Sequence, residues 1–351
     1  MSIIESKSFS IVPGYGGRKS WNPLGLQPAL YAIGVPHPLE FFGYDPLTIQ
    51  PPSDPTERPE ATNPLFYYVN NETGDDANGN GSPDLPRLTV PENIALPPGT
   101  VIVIAYTATP YTAGGDARFQ MTMLGTRQNK CFIVGRGASK PLIDLEMRMI
   151  GCSHTIVDGL EWTKIGSAHF QIHNSAYSEY MTIRNTTHTN GDGTPLNGSI
   201  LSGSGLINTN KSKGFVIYNC EIANYGENLS TSVQNDIHAF KPDNNLTDIW
   251  YLNNTVTNLG GDCIQVGSGS TAIADRCERV YVAKNDFSDT FENAVDIKSS
   301  QDVIISQNDM YNFNRVNTNA DDTTVALIVH SGATRVWVLA NNVHDSAAGL
   351  Q

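Results

Sequence analysis

The residues best suited to chemistry fall in one short stretch, Glu292-Asn293-Ala294-Val295-Asp296-Ile297-Lys298-Ser299-Ser300. Its alternation of apolar and polar residues reads as a strand, and residues two apart on a strand share a face. Asp296 and Lys298 therefore project together. Carboxylates hold hard cations, and a lysine beside a cation gives up its proton more readily and can act as a base. The same two residues could instead form a surface ion pair, contributing about 0–1 kcal/mol.

Three other stretches follow the same pattern: Asp236-Ile237-His238-Ala239-Phe240-Lys241, Asp262-Cys263-Ile264-Gln265-Val266-Gly267 and Val325-Ala326-Leu327-Ile328-Val329-His330. Aligned by that pattern, Asp236, Asp262 and Asn293 share one column. Ala239, Gln265, Asp296 and Ile328 share a second, and Lys241, Gly267, Lys298 and His330 a third. A separate cation-binding candidate is Asp76-Ala77-Asn78-Gly79-Asn80-Gly81, which fits the opening of a calcium loop through Asp76, Asn78 and Asn80. Arg87 stands where the closing glutamate belongs, and an Asn/Gly-rich turn is the alternative. His169 and His173 are four apart but lie in a strand pattern, so they are not expected to pair on a metal.

These stretches need a scaffold that places them side by side. A second series supplies it: Met181–Asn185, Phe215–Ile222, Ile249–Val256, Val280–Phe287, Val303–Met310 and Val336–Val343. Each is a short apolar-alternating run that ends in or near an Asn. Successive copies lie roughly 23–34 residues apart, a solenoid period. Two series alternating at one period predict at least two parallel sheets. Stacked coils then bury a shared core that no single coil could bury alone. Asn residues at equivalent turns are expected to stack in ladders. The fold expected is therefore all-β, a right-handed parallel β-helix.

The chain has 351 residues, 39% hydrophobic and 16% charged, with 31 glycines, which suits many short strands and turns. Residues 1–62 read as an irregular Pro-rich N-terminal arm, holding half of the 20 prolines, and residues 63–351 as the helix. Aromatics in the arm, among them Phe41, Phe42 and Tyr44, predict that it packs on the body or on a partner. The last repeat ends near Gln351 with no evident polar cap, which predicts a truncated chain or one continued by a partner. A net charge of −13 with no basic block argues against nucleic acid. No run is long enough to insert in a membrane, and no signal peptide is visible at the start. The five cysteines show no Cys-x-x-Cys pair and read as buried core residues.

From about residue 63 onward the repeat resembles the pectate-lyase-like superfamily of β-helix proteins: polysaccharide lyases, polygalacturonase-type hydrolases and phage tailspikes. Glu292–Ser300 looks like the acid-then-lysine strand of the alginate lyase and chondroitinase B kind, in which carboxylates hold calcium and a lysine is the base. Gly261–Ser270 resembles the Asp-Asp-Cys strand of polygalacturonases, with Gly261 in place of the first Asp and no Gly-His-Gly following.

The resemblance implies a calcium-assisted β-elimination lyase acting on an acidic, uronate-containing polysaccharide. Lys298 would be the base, with Lys241 or His330 assisting, and Asp236, Asp262, Asp296 and Glu292 would supply calcium ligands. The alternatives are a non-catalytic tailspike, adhesin or filament subunit, forming a homotrimer or filament, and a polygalacturonase-like hydrolase. Each implies an extracellular or virion-associated protein. Trp162, Tyr177, Tyr180, Tyr225, Tyr311 and Phe313 are expected to stack on sugars.

Overall fold

The computed structural model describes residues 35–52, 66–112, 118–163, 169–173, 175–190, 198–203, 212–225, 237–242, 245–269, 273–313 and 324–351. They form three sheets of ten, nine and eight strands, in which successive strands pair in parallel. Each full coil gives one strand to each sheet. In one coil Leu246–Leu252 lies in the first sheet, Thr255–Leu259 in the third and Ile264–Val266 in the second. The chain is thus the expected right-handed parallel β-helix, since parallel crossovers take that hand.

The alternating pattern sets the faces. Ile249, Tyr251, Val256, Ile264 and Val266 all point into one continuous core. The five cysteines are buried there and form no disulfide. His169 is also buried, with its Nδ1 3.0 Å from that of His188 and its Nε2 3.2 Å from the Tyr225 hydroxyl. Burial pushes the His169 pKa down to about 3, so the ring is neutral. Trp162, Tyr225 and Phe313 are buried as well, which removes them from any sugar surface.

The corner between the first and third sheets explains the recurring Asn. Asn185, Asn219 and Asn253 take positive φ (53°, 53° and 55°), a conformation Asn tolerates better than most residues. At the next position Asn254, Asn285, Asn308 and Asn341 form a ladder. The backbone N–H and the side-chain amide of Asn254 both donate to Asn285 Oδ1, at 2.9 and 3.0 Å, and Asn285 repeats this on Asn308 and Asn308 on Asn341.

The described part of the arm packs on the outer face of the first sheet. A single helical turn, Pro38–Phe42, begins at His37, whose side chain accepts the Leu39 N–H, and ends at Gly43 with φ 73°. Phe41 and Phe42 pack against Tyr180 and Trp250. Trp250 Nε1 donates to the Pro36 carbonyl at 2.9 Å, and Arg184 donates to the carbonyls of Pro46 and Ile49 while gripping Asp158.

Candidate functional site

The candidate site lies on the outer face of the second sheet, where the strands Ile237–Pro242, Ile264–Val266, Val295–Lys298 and Leu327–His330 stack. Val295 and Ile297 point into the core, so Asp296 and Lys298 point out. Asp296 sits opposite Ile328, and Lys298 opposite His330. The Asp296 carboxylate holds one base on each oxygen. Lys298 Nζ lies 2.8 Å from Oδ2, and His330 Nε2 lies 2.8 Å from Oδ1. Asp296 is 3% exposed, while the side chains of Lys298 and His330 are 24% and 40% exposed and reach the surface.

Burial, and then the charge of Asp262, raise the Asp296 carboxyl above the usual carboxylate range, against the pull of Lys298 and His330. Burial works against the Lys298 ammonium. The hydrogen bond and charge of Asp296, with Asp262 and Glu292 behind them, outweigh it and raise its pKa above that of ordinary lysine. As the charges stand, Lys298 is a fixed cation rather than a free base.

One coil away, Gln265 lies opposite Asp296. Its amide nitrogen is 3.4 Å from Asp296 Oδ2 and 3.4 Å from Asp262 Oδ2, linking the two carboxylates. Asp262 Oδ1 accepts the backbone N–H of Asn293 at 3.0 Å and its side-chain amide at 2.8 Å. His238 Nδ1 lies 3.2 Å from Asp262 Oδ2 and 3.9 Å from Glu292 Oε2. His238, Asp262 and Glu292 thus bring one ligand atom each within 4.8 Å of one another.

The expected columns need correction here. Phe240 pairs with Ile264, not with Val266. This two-residue shift puts Lys241 in the column of Gln265 and Asp296 instead of that of Lys298. It also puts His238, rather than Asp236, beside Asp262. Asp236 itself lies outside the described residues. The ladder hydrogen bonds agree with the new register. The Asp262 N–H goes to His238 Nδ1 at 3.1 Å, the Asn293 N–H to Asp262 Oδ1, and the Val325 N–H to Asn293 Oδ1 at 3.2 Å.

The implied calcium does not fit this donor set. Calcium takes six to eight oxygen ligands. Here one donor is a ring nitrogen, Asp262 Oδ1 is committed to Asn293, and Asp296 is committed to Lys298 and His330. The Asp76 loop closes on itself. Asp76 accepts the N–H groups of Leu88 and Thr89 and the Thr89 hydroxyl, Asn78 donates to Asp75, and Asn80 accepts the Ser82 N–H. That is turn chemistry, and it gives no support to calcium there.

Three parallel sheets, one core and stacked corner ladders decide the architecture. The chain is a parallel β-helix. No family model matches it, and no curated protein is similar enough to match. Several solved structures are similar to it at low identity. A GH136 lacto-N-biosidase from Eubacterium ramulus is 15% identical, with a TM-score of 0.49 over 80% of this chain, which spans 56% of that protein's length. The pectate lyase Pel9A is 12% identical with a TM-score of 0.44, over 81% of this chain and 78% of that one. PfbA, a surface adhesin of Streptococcus pneumoniae, is 9% identical with a TM-score of 0.44, over 74% and 80%. Among the described residues, no helix is long and apolar enough to cross a membrane.

Proposed function

We propose that the protein is an extracellular enzyme that cleaves a uronate-containing polysaccharide by β-elimination on the outer face of the second sheet. One observation carries the reading: a buried carboxylate, Asp296, holds a lysine and a histidine side by side at the surface. Lys298, kept protonated by its acidic neighbours, is suited to pair with the sugar carboxylate and make the adjacent C5 proton more acidic. His330, oriented through Nε2 by Asp296, is suited to remove that proton, imidazole being the usual base near neutral pH. The C5–H electrons form the C4–C5 double bond, the C4–oxygen bond breaks, and the departing oxygen takes a proton from His330 or water. This exchanges the roles that the family resemblance suggests for the two residues.

Glycoside hydrolysis is the second reading, favoured by the paired carboxylates of Asp262 and Asp296 that share the Gln265 amide. Retaining enzymes use carboxyl groups about 5–5.5 Å apart. The raised Asp296 carboxyl would be the acid and Asp262 its partner.

A screen of uronate polysaccharides at about 235 nm, where the conjugated product of elimination absorbs, tests the proposal. Absorbance should rise, and His330→Ala and Lys298→Ala should each slow it about 10²–10⁴-fold. New reducing ends without absorbance would replace elimination with hydrolysis. Binding without either product would remove both.

A further inference from the structure

We infer that the cavity between the N-terminal segment and the first coils binds an acidic oligosaccharide, at a site separate from the second-sheet face. The cavity measures about 530 Å³, a usual size for a small-ligand site. Phe66, Phe132 and Ile49 form its apolar floor, and Gln128, Asn129 and Lys130 its polar rim. Phe66 and Phe132 lie two strands apart on the first sheet with Val101 between them, so the floor is about 10 Å long.

The rim is held in place before any ligand arrives. The Asn129 N–H donates to the Thr126 hydroxyl at 3.0 Å, and the Thr126 N–H donates to the Asn129 carbonyl at 2.9 Å. The Gly99 N–H, 3.1 Å from the same carbonyl, ties this turn to the coil before it. A rim fixed in this way loses little freedom on binding. The exposed side-chain amides of Gln128 and Asn129 have no hydrogen-bond partner among the described residues. Each offers a donor and an acceptor to a sugar hydroxyl.

Charge narrows the ligand. The chain carries −13 overall, yet this corner is positive. Arg127 donates to the Gly43 carbonyl at 3.2 Å, and Lys130 Nζ lies 4.5 Å from the centre of the Tyr44 ring. Neither meets a carboxylate among the described residues. Burial and the charge of Arg127 both work against the Lys130 ammonium and lower its pKa. An anion at the rim relieves the repulsion between the two cations. A bare inorganic anion gains nothing from the phenyl rings of the floor. A pyranose bearing a carboxylate uses the whole cavity: its apolar face meets Phe66 and Phe132, its hydroxyls the amides, and its carboxylate Lys130.

The cavity is far from Lys298. From Glu146–Met149, in the coil of Phe132, to Val295–Lys298 is five coils along the second sheet, about 24 Å. The cavity would therefore anchor the polymer away from where it is cut. That anchoring role rests on the elimination reading; the binding itself does not.

The test is calorimetric titration of the full chain carrying Lys298→Ala, which disables the second-sheet face. The ligands are digalacturonate, dimannuronate and diguluronate, the methyl esters of each, and inorganic phosphate. At least one diuronate should bind, and its uncharged ester and phosphate should each bind about 10-fold more weakly or worse. Adding Lys130→Ala should weaken the diuronate about 10-fold, and adding Gln128→Ala about 3-fold, with thermal melts confirming that both variants fold. No binding by any diuronate, equal binding of the ester or of phosphate, or affinity unchanged by Lys130→Ala would each overturn the assignment. A flat absorbance trace in the elimination screen would remove the anchoring role and the elimination reading while leaving the calorimetric result to decide the site.

Discussion

The outer faces of the first and second sheets rest on the same parallel ladder and share one core, yet they have opposite chemistry. On the first sheet the outward positions Phe132, Ile156, Val216, Trp250, Tyr281 and Ile304 are apolar and buried, and residues 35–52 contribute to their cover. Its acids are held in arginine forks. On the second sheet the outward positions include Gln265, Asp296, Lys298 and His330, joined through the Asp296 carboxylate. A solenoid fixes what points inward and leaves the outward positions free. One face has become a floor for the chain's own N-terminal segment, and the other collects titratable groups.

The sharpest way to break this contrast is at Trp250, 1% exposed and bonded to Pro36. Trp250→Ala should cost about 3–5 kcal/mol in denaturant unfolding and open residues 35–52 to protease. A small cost with the segment still protected would mean that the apolar floor is not what holds it.

The next effect concerns the charges. Arg279→Ala removes the fork that holds Asp248, 4% exposed, and should cost about 2 kcal/mol, less than a fully buried pair because the arginine is partly in water. Asp296→Asn, by contrast, removes a charge from the crowded face. It should change stability at pH 7 by no more than about 1 kcal/mol while abolishing the proposed elimination. The sign with pH is definite. Because the Asp296 pKa is raised in the fold, its stabilising contribution is complete below the ordinary value of 3.8 and is lost as pH rises through the raised value. Wild type should therefore lose ground to Asp296→Asn across that interval. Equal pH profiles for the two proteins would contradict the burial argument.

Much of this was legible in the sequence because a solenoid repeats its instructions. The period and the alternation gave the parallel coils, and the recurring Asn gave the ladder. The third sheet was hidden because its strands are short, two residues at Leu142–Ile143 and five at Glu221–Tyr225, too brief to alternate clearly. At the site, Asp262, Glu292, Asp296, Lys298 and His330 do come together. His238 went unseen for one reason. A register slip of two residues keeps every side chain on its proper face, so periodicity alone cannot detect it. The clue available was Gly261, whose missing side chain leaves room for the His238 ring, 2.9 Å from where a Cβ would stand.

The Asn ladder carries a consequence for how the molecule comes apart. Each rung bonds to the coil before it and the coil after it, and the strands pair in the same nearest-neighbour way. Cooperativity in such a stack is one-dimensional and passes only between adjacent coils. Unfolding therefore need not be all-or-none along the axis. The end coils can fray while the middle ones, where Asn285 and Asn308 are bonded on both sides, exchange their amide protons last.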